Sequence, residues 1–229
     1  MSDYSQIKAA FTVGMKERYQ NIFNQYYPAH NSTGFTERNL SCNFSEALLA
    51  ELKDKDAFVW YEAPLPITEK GKCPHIDAVV FWRKTNSVFF IESKRLGDRP
   101  TGKIKSVRSD IERILDTKEV CDIKSGNDDK FTNRGYILKE WPLGGQSALN
   151  QYVICIMDFW VEKEKYKLEK IKELISKNIS EKFSSEKILF ESVGVDDPFE
   201  CPFDDDINHV DNADTAIRNY SIHLAAIKL

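Results

Sequence analysis

Two apolar runs that share one charged end constrain this 229-residue chain more than any other feature. Residues 74–94 read P-H-I-D-A-V-V-F-W-R-K-T-N-S-V-F-F-I-E-S-K. The runs 75–83 and 87–94 are rich in β-branched and aromatic residues, and only Lys84-Thr85-Asn86 separates them. That spacing predicts a β-hairpin. Side chains two apart on a strand share a face, which puts Phe90, Glu92 and Lys94 together. A turn centred on Thr85-Asn86 sets Asp77 opposite Lys94, and one on Lys84-Thr85 sets it opposite Glu92. Either register brings Asp77 to the face of Glu92 and Lys94, because opposed residues share a side. The reverse parity would put it on the far face. An aspartate inside an apolar strand is costly unless it is paired or binds metal. Two carboxylates and an ammonium at one end of a hairpin suit Mg²⁺, which takes one or two carboxylates and keeps several waters. The Ser93 backbone carbonyl can add an oxygen. Lys94 beside a metal-bound water can orient or deprotonate it and stabilise a pentavalent phosphate.

The rest of the chain alternates helical and strand patterns. Residues 5–27 carry Ile7, Phe11, Met15, Tyr19, Ile22, Phe23 and Tyr26 at spacings of three or four, an amphipathic helix ended by Pro28. A second helix begins near Thr36 or after Asn43 and turns Leu48, Leu49 and Leu52 inward. Ala57 to Glu62 reads as a strand ended by Pro64 and Pro66. A helix over 103–117, a polar and Gly-rich insertion at 121–150 and a strand at 152–160 follow. That last strand is apolar enough to be covered on both faces. A charged helix over 161–183, a strand at 187–193 and a closing C-terminal strand complete the chain. The pattern predicts one α/β domain with a mixed sheet flanked by helices.

On Pro74-His75-Ile76-Asp77 followed by Glu92-Ser93-Lys94, and on this order of elements, the sequence resembles the PD-(D/E)xK, or restriction-endonuclease-like, nuclease superfamily. The resemblance covers residues 36–160, with the helix 5–27 before it and the extension 161–229 after it in a single domain 1–229. It departs from the strict motif, since two residues separate Pro74 from Asp77. It implies a restriction-endonuclease-like core and a Mg²⁺- or Mn²⁺-dependent endonuclease of restriction or phage-defence type. The implied substrate is nucleic acid, with DNA expected and RNA open. Asp77 and Glu92 would bind metal, with the Ser93 carbonyl, and Lys94 would assist hydrolysis. A Glu from the preceding helix would complete the catalytic set. Glu46 is the first choice and Glu37 the second. The rival reading is a non-catalytic nucleic-acid or protein-binding module that keeps the fold. A homodimer and a subunit of a larger defence complex are the assemblies considered.

Composition narrows the remaining choices. Hydrophobic residues at 41% and charged residues at 30% exclude disorder throughout. The longest apolar stretches, such as 153–157, are too short for a membrane helix, and the first residues lack a signal-peptide pattern. Five scattered cysteines with no CxxC pair argue against a zinc ribbon or disulfide scaffold, so a reducing cytoplasm is the expected setting. The net charge of −4 hides segregation: residues 94–113 hold seven basic and three acidic side chains, a local +4. Lys103, Lys105 and Arg108 in that run can meet phosphates. Gln146, in a Gly-Gly segment lacking a phosphate-loop signature, can read a base or phosphate. Residues 195–214 hold eight acidic side chains and no Lys or Arg. His75 is expected to be a surface or structural histidine, and Cys73 a buried thiol.

Overall fold

The computed structural model describes residues 3–25, 36–66, 74–96, 100–115, 120–121, 130–139, 149–161, 168–180, 188–195 and 219–229. A helical stretch opens the chain as α1 (Asp3–Ala9), a π-helical turn (Ala10–Met15) and α2 (Lys16–Gln25). Its expected end at Pro28 lies outside the described residues. Ile7, Phe11, Met15 and Tyr19 are buried. The π-turn brings Gly14 against α3 (Glu37–Leu52), where an added Cβ would lie 2.9 Å from the Ala47 Cβ. Helix α3 buries Leu40, Phe44, Ala47 and Leu48, and ends at Lys53 in the left-handed conformation, whose N–H donates to the Leu49 carbonyl.

Strands β1 (Ala57–Pro64), β2 (His75–Trp82) and β3 (Ser87–Arg95) form an antiparallel meander. The hairpin connection is longer than two residues. A 3₁₀ turn at Arg83–Thr85 and a left-handed Asn86, φ 54°, fill it. Ala78 pairs with Ile91 and Trp82 with Ser87, which is the register that carries Asp77 toward Glu92. Helix α4 (Pro100–Leu115) starts three residues earlier than the spacing predicts, with a proline at its first position. The expected insertion holds a two-residue ladder of β4 (Val120–Cys121) with β5 (Lys130–Phe131), then α5 (Asn133–Leu138), N-capped by Thr132. Strand β6 (Asn150–Val161) runs parallel to β3. Helix α6 (Leu168–Ser180) and strands β7 (Ile188–Val195) and β8 (Asn219–Lys228) follow. The acidic stretch beyond residue 195 lies outside the described residues.

The result is an α/β fold: a six-stranded mixed sheet in the order β1-β2-β3-β6-β8-β7, with helices on both faces. Helices α1 to α3 cover one face over Val80, Phe89, Ile91, Ile154 and Leu224. Helices α4, α5 and α6 cover the other over Val79, Phe90, Val153 and Met157. Residues 152–159 of β6 are all buried, because both faces are roofed. Strand β8 inserts between β6 and β7, so residues 219–228 form an interior strand of the sheet, next to its β7 edge. Among the described residues no helix is long and apolar enough to cross a membrane.

Candidate active site

Strands β2 and β3 part company just beyond the Ala78–Ile91 pair, while β3 stays paired with β6 as far as Arg95 and Asp158. On β1, Glu62 adopts the left-handed conformation, φ 50°, and the β1–β2 ladder skips the step between Tyr61–Ala78 and Ala63–Ile76. Regular alternation fails at the same level of β2. Ile76 packs into the same core as Val79 and Phe81, where strict alternation would send it to the other. The sheet is thus split open at Asp77, at the carboxyl ends of the one parallel strand pair of the six-stranded sheet. In open α/β sheets ligands favour this position.

Asp77 fills the split. Its Oδ2 accepts from the Ser93 backbone N–H at 2.8 Å and lies 2.6 Å from Ser93 Oγ. That hydroxyl is also 2.6 Å from the Glu37 carbonyl, so its single proton serves either acceptor. Glu92 and Lys94 point to the α4 side, as their shared parity predicts. Glu92 Oε1 accepts from Arg113 Nη2 at 2.6 Å, and Lys94 Nζ sits 3.1 Å from Asp110 Oδ2. Arg113 and Asp110 approach each other at 3.6 Å and close a four-residue ion network over β3. Each of the three expected site residues therefore has its own partner: Asp77 is held by Ser93, Glu92 by Arg113 and Lys94 by Asp110. The reason is that α4 presents counter-ions three residues apart, which single-strand parity does not contain.

Glu37, not Glu46, reaches this site. Glu37 Oε2 is 3.8 Å from Lys94 Nζ and its Oε1 accepts from the Arg95 N–H at 3.0 Å. Glu46 pairs with Arg18 at 2.7 Å, and 55% of its side chain is exposed. The helix explains the difference. Nine residues are two and a half turns, so Glu46 lies about 13 Å along the axis and on the opposite side. Between buried Phe44 and Ala47, a helical residue can still face solvent.

The electrostatics follow the burial. Burial pushes Glu92 up to about 8 against the pull of Arg113, and Asp77 and Asp110 add to the rise. Burial alone would lower Lys94. Asp110, then Glu37 and Glu92, outweigh it and raise the amine above its ordinary value, so it remains an ammonium at neutral pH. Behind the site, Asp158 is buried on β6. Its Oδ2 accepts from the Tyr220 hydroxyl at 3.0 Å and lies 3.7 Å from Arg95 Nε. Burial pushes Asp158 up to about 7. Cys155, paired with Glu92 across β3 and β6, is fully buried and its thiol is raised by burial.

No group of three or more His, Cys, Asp or Glu side chains able to hold a metal ion comes together among the described residues. The donor chemistry nonetheless fits a hard cation. Asp77 Oδ1 and Glu92 Oε2 accept no hydrogen bond among the described residues, and Mg²⁺ needs only one or two carboxylates when it keeps its waters. Of the expected nucleic-acid contacts, Lys103 and Lys105 are exposed on α4. They lie seven and five residues from Asp110, about 10 and 8 Å along the helix. Arg108 is paired with Glu112 at 3.0 Å along its own helix, so that cation is already engaged. Gln146 lies outside the described residues. His75 is half exposed and 2.6 Å from Glu62, a surface pairing. Cys73 lies outside the described residues.

Asp110, Arg113 and Asp158 were not singled out by sequence reasoning. The signal for the first two was present: each neighbours a buried position of α4, Ile111 or Ile114. Comparison with family models, curated proteins and solved structures finds no match for the chain.

Proposed function

We propose that the protein is a metal-dependent nuclease of the PD-(D/E)xK type, hydrolysing phosphodiester bonds in nucleic acid, DNA first among them. One observation carries the reading. Asp77, Glu37 and the Glu92-Ser93-Lys94 run are linked through Ser93 at the split of the sheet. The order helix, three antiparallel strands, helix and parallel strand around them is the order the resemblance implies.

Each residue then has a role that its surroundings support. Asp77 and Glu92 offer the carboxylate oxygens that would hold Mg²⁺ or Mn²⁺, and the Ser93 carbonyl is a further donor. When bound, the ion supplies Lewis acidity and a water that ionises near neutral pH. Lys94 acts as a fixed cation rather than a base, because the carboxylates of Asp110 and Glu37 hold its proton. It orients water and offsets the charge that builds on phosphate. Asp110 positions Lys94, and Arg113 occupies one Glu92 oxygen and would offset the charge of the buried carboxylate once it ionises. Glu37 takes the auxiliary acidic role.

The test is direct: purified protein is incubated with plasmid, single-stranded DNA and RNA, with Mg²⁺ or Mn²⁺ and with EDTA. Cleavage that requires the metal supports the reading, and the polymer cut assigns the substrate. Wild-type protein that binds no metal and leaves every polymer intact supports the rival, a binding module in which the α4 counter-ions make Glu92 and Lys94 purely structural.

A further inference from the structure

A phosphodiester strand is an anion, and the cations around the site are mostly spent. Lys94 is held by Asp110, Arg113 by Glu92 and Arg108 by Glu112. Arg95 differs from them. Its backbone N–H donates to Glu37 Oε1, which fixes the residue beside the acid that also neighbours Lys94. Its side chain is 27% exposed, and its closest acidic atom among the described residues is Asp158 Oδ2, 3.7 Å from Nε. The guanidinium makes no hydrogen bond among the described residues, and Nε is buried without a partner.

That geometry is poor for a mere counter-ion. Arginine that neutralises a carboxylate does so through short, often bidentate hydrogen bonds, and among the described residues Arg95 forms none. Asp158 sits on β6, buried and held by the Tyr220 hydroxyl. It tethers the inner edge of the guanidinium, while the outer Nη groups form no hydrogen bond among the described residues. Arg95 shares the α3 side of the sheet with Ser93, whereas Glu92 and Lys94 face α4. Arg95 also follows Lys94 directly on β3 and shares Glu37 with it, so a phosphate gripped there would lie beside the Glu92 and Lys94 face rather than on it.

We propose that Arg95 is a phosphate-binding residue of this site, gripping a nucleic-acid phosphate next to the scissile one, with Asp158 and Tyr220 as positioning residues. The proposal rests on the nuclease reading and adds to it a contact outside the metal and lysine set. Planar guanidinium forks match phosphate oxygens in pairs, which lysine cannot do.

The experiment is fluorescence anisotropy of a labelled DNA oligonucleotide with the full chain in EDTA over a range of NaCl, beside cleavage in Mg²⁺. Arg95→Ala is expected to weaken binding about tenfold and to reduce the salt slope by about one. Arg95→Lys keeps the slope and loses part of the affinity, and it decides the matter if Arg95→Ala does not fold. Wild-type affinity and slope in the variant, with cleavage intact in the parent protein, overturns this proposal alone. A parent protein that neither binds nor cuts nucleic acid overturns both this proposal and the nuclease reading.

Discussion

Glu37 and Glu46 differ by nine positions on one helix, and the site distinguishes them by geometry alone. Glu37→Gln is expected to cut hydrolysis about 10²-fold or more, as loss of a charged group at a reacting centre does. Glu46→Gln, which breaks only an exposed pair with Arg18, should leave it within a factor of two or so. Initial cleavage rates of the two variants make the comparison. Asp158 gives a second test at this scale. Its carboxyl is near 3.8 when unfolded and about 7 when folded, so the folded state holds the proton more tightly. Its stabilising contribution is complete below about pH 4 and is lost as pH rises toward 7. Asp158→Asn should therefore gain stability relative to the parent chain on going from pH 5 to pH 8. Parallel urea melts at the two pH values read this, and a pH-independent difference would contradict it. Period-2 parity made the Glu92 and Lys94 face legible in the sequence. The counter-ions of Glu92 and Lys94 were not legible, because Arg113 and Asp110 come from another element and no local pattern pairs them with β3.

Among the elements, α3 carries Glu37, and its position depends on the contact between Gly14 and Ala47. A methyl at position 14 would meet the Ala47 Cβ at 2.9 Å, so the helices must separate. Gly14→Ala is expected to cost about 1–3 kcal/mol, as overpacking does. Adding Ala47→Gly should recover part of that loss despite the lower helix propensity of glycine. A chemical denaturation double-mutant cycle measures the coupling, and additive losses would show that the contact is slack. Element types were legible from periodicity: both predicted hairpin strands, the nearly all apolar β6 and the amphipathic α4 are all present. The π-turn was not, since a single wide turn leaves the three-and-four spacing of Ile7, Phe11 and Met15 unchanged. The hairpin turn was also misjudged. Lys84-Thr85-Asn86 reads as a tight two-residue turn, but a 3₁₀ turn that begins at Arg83 widens it.

For the whole molecule, the sheet binds the two ends of the chain together. The tract 36–160 is the proposed nuclease core, yet β8 from residues 219–228 covers one edge of β6, and the core beneath Tyr19 includes Tyr220 and Ile222. Truncation after residue 161 would expose a long apolar edge, so the shortened chain is expected to aggregate rather than fold. Size-exclusion chromatography and the cooperativity of thermal melting check this, and a monomeric, cooperatively melting fragment would contradict it. Strand order was the part least legible in the sequence, because strand patterns carry no information about which neighbour a strand chooses. The central claim is that Lys94 serves hydrolysis while Asp77 and Glu92 serve metal binding. The direct measurement is plasmid nicking in Mg²⁺ by wild type and Lys94→Ala, with calorimetric Mg²⁺ titration of both folded proteins. The account predicts that Lys94→Ala binds the ion at least as tightly, since a cation is removed, and nicks about 10²–10⁴-fold more slowly. Full nicking activity in Lys94→Ala would contradict it and reduce the lysine to the counter-ion of Asp110.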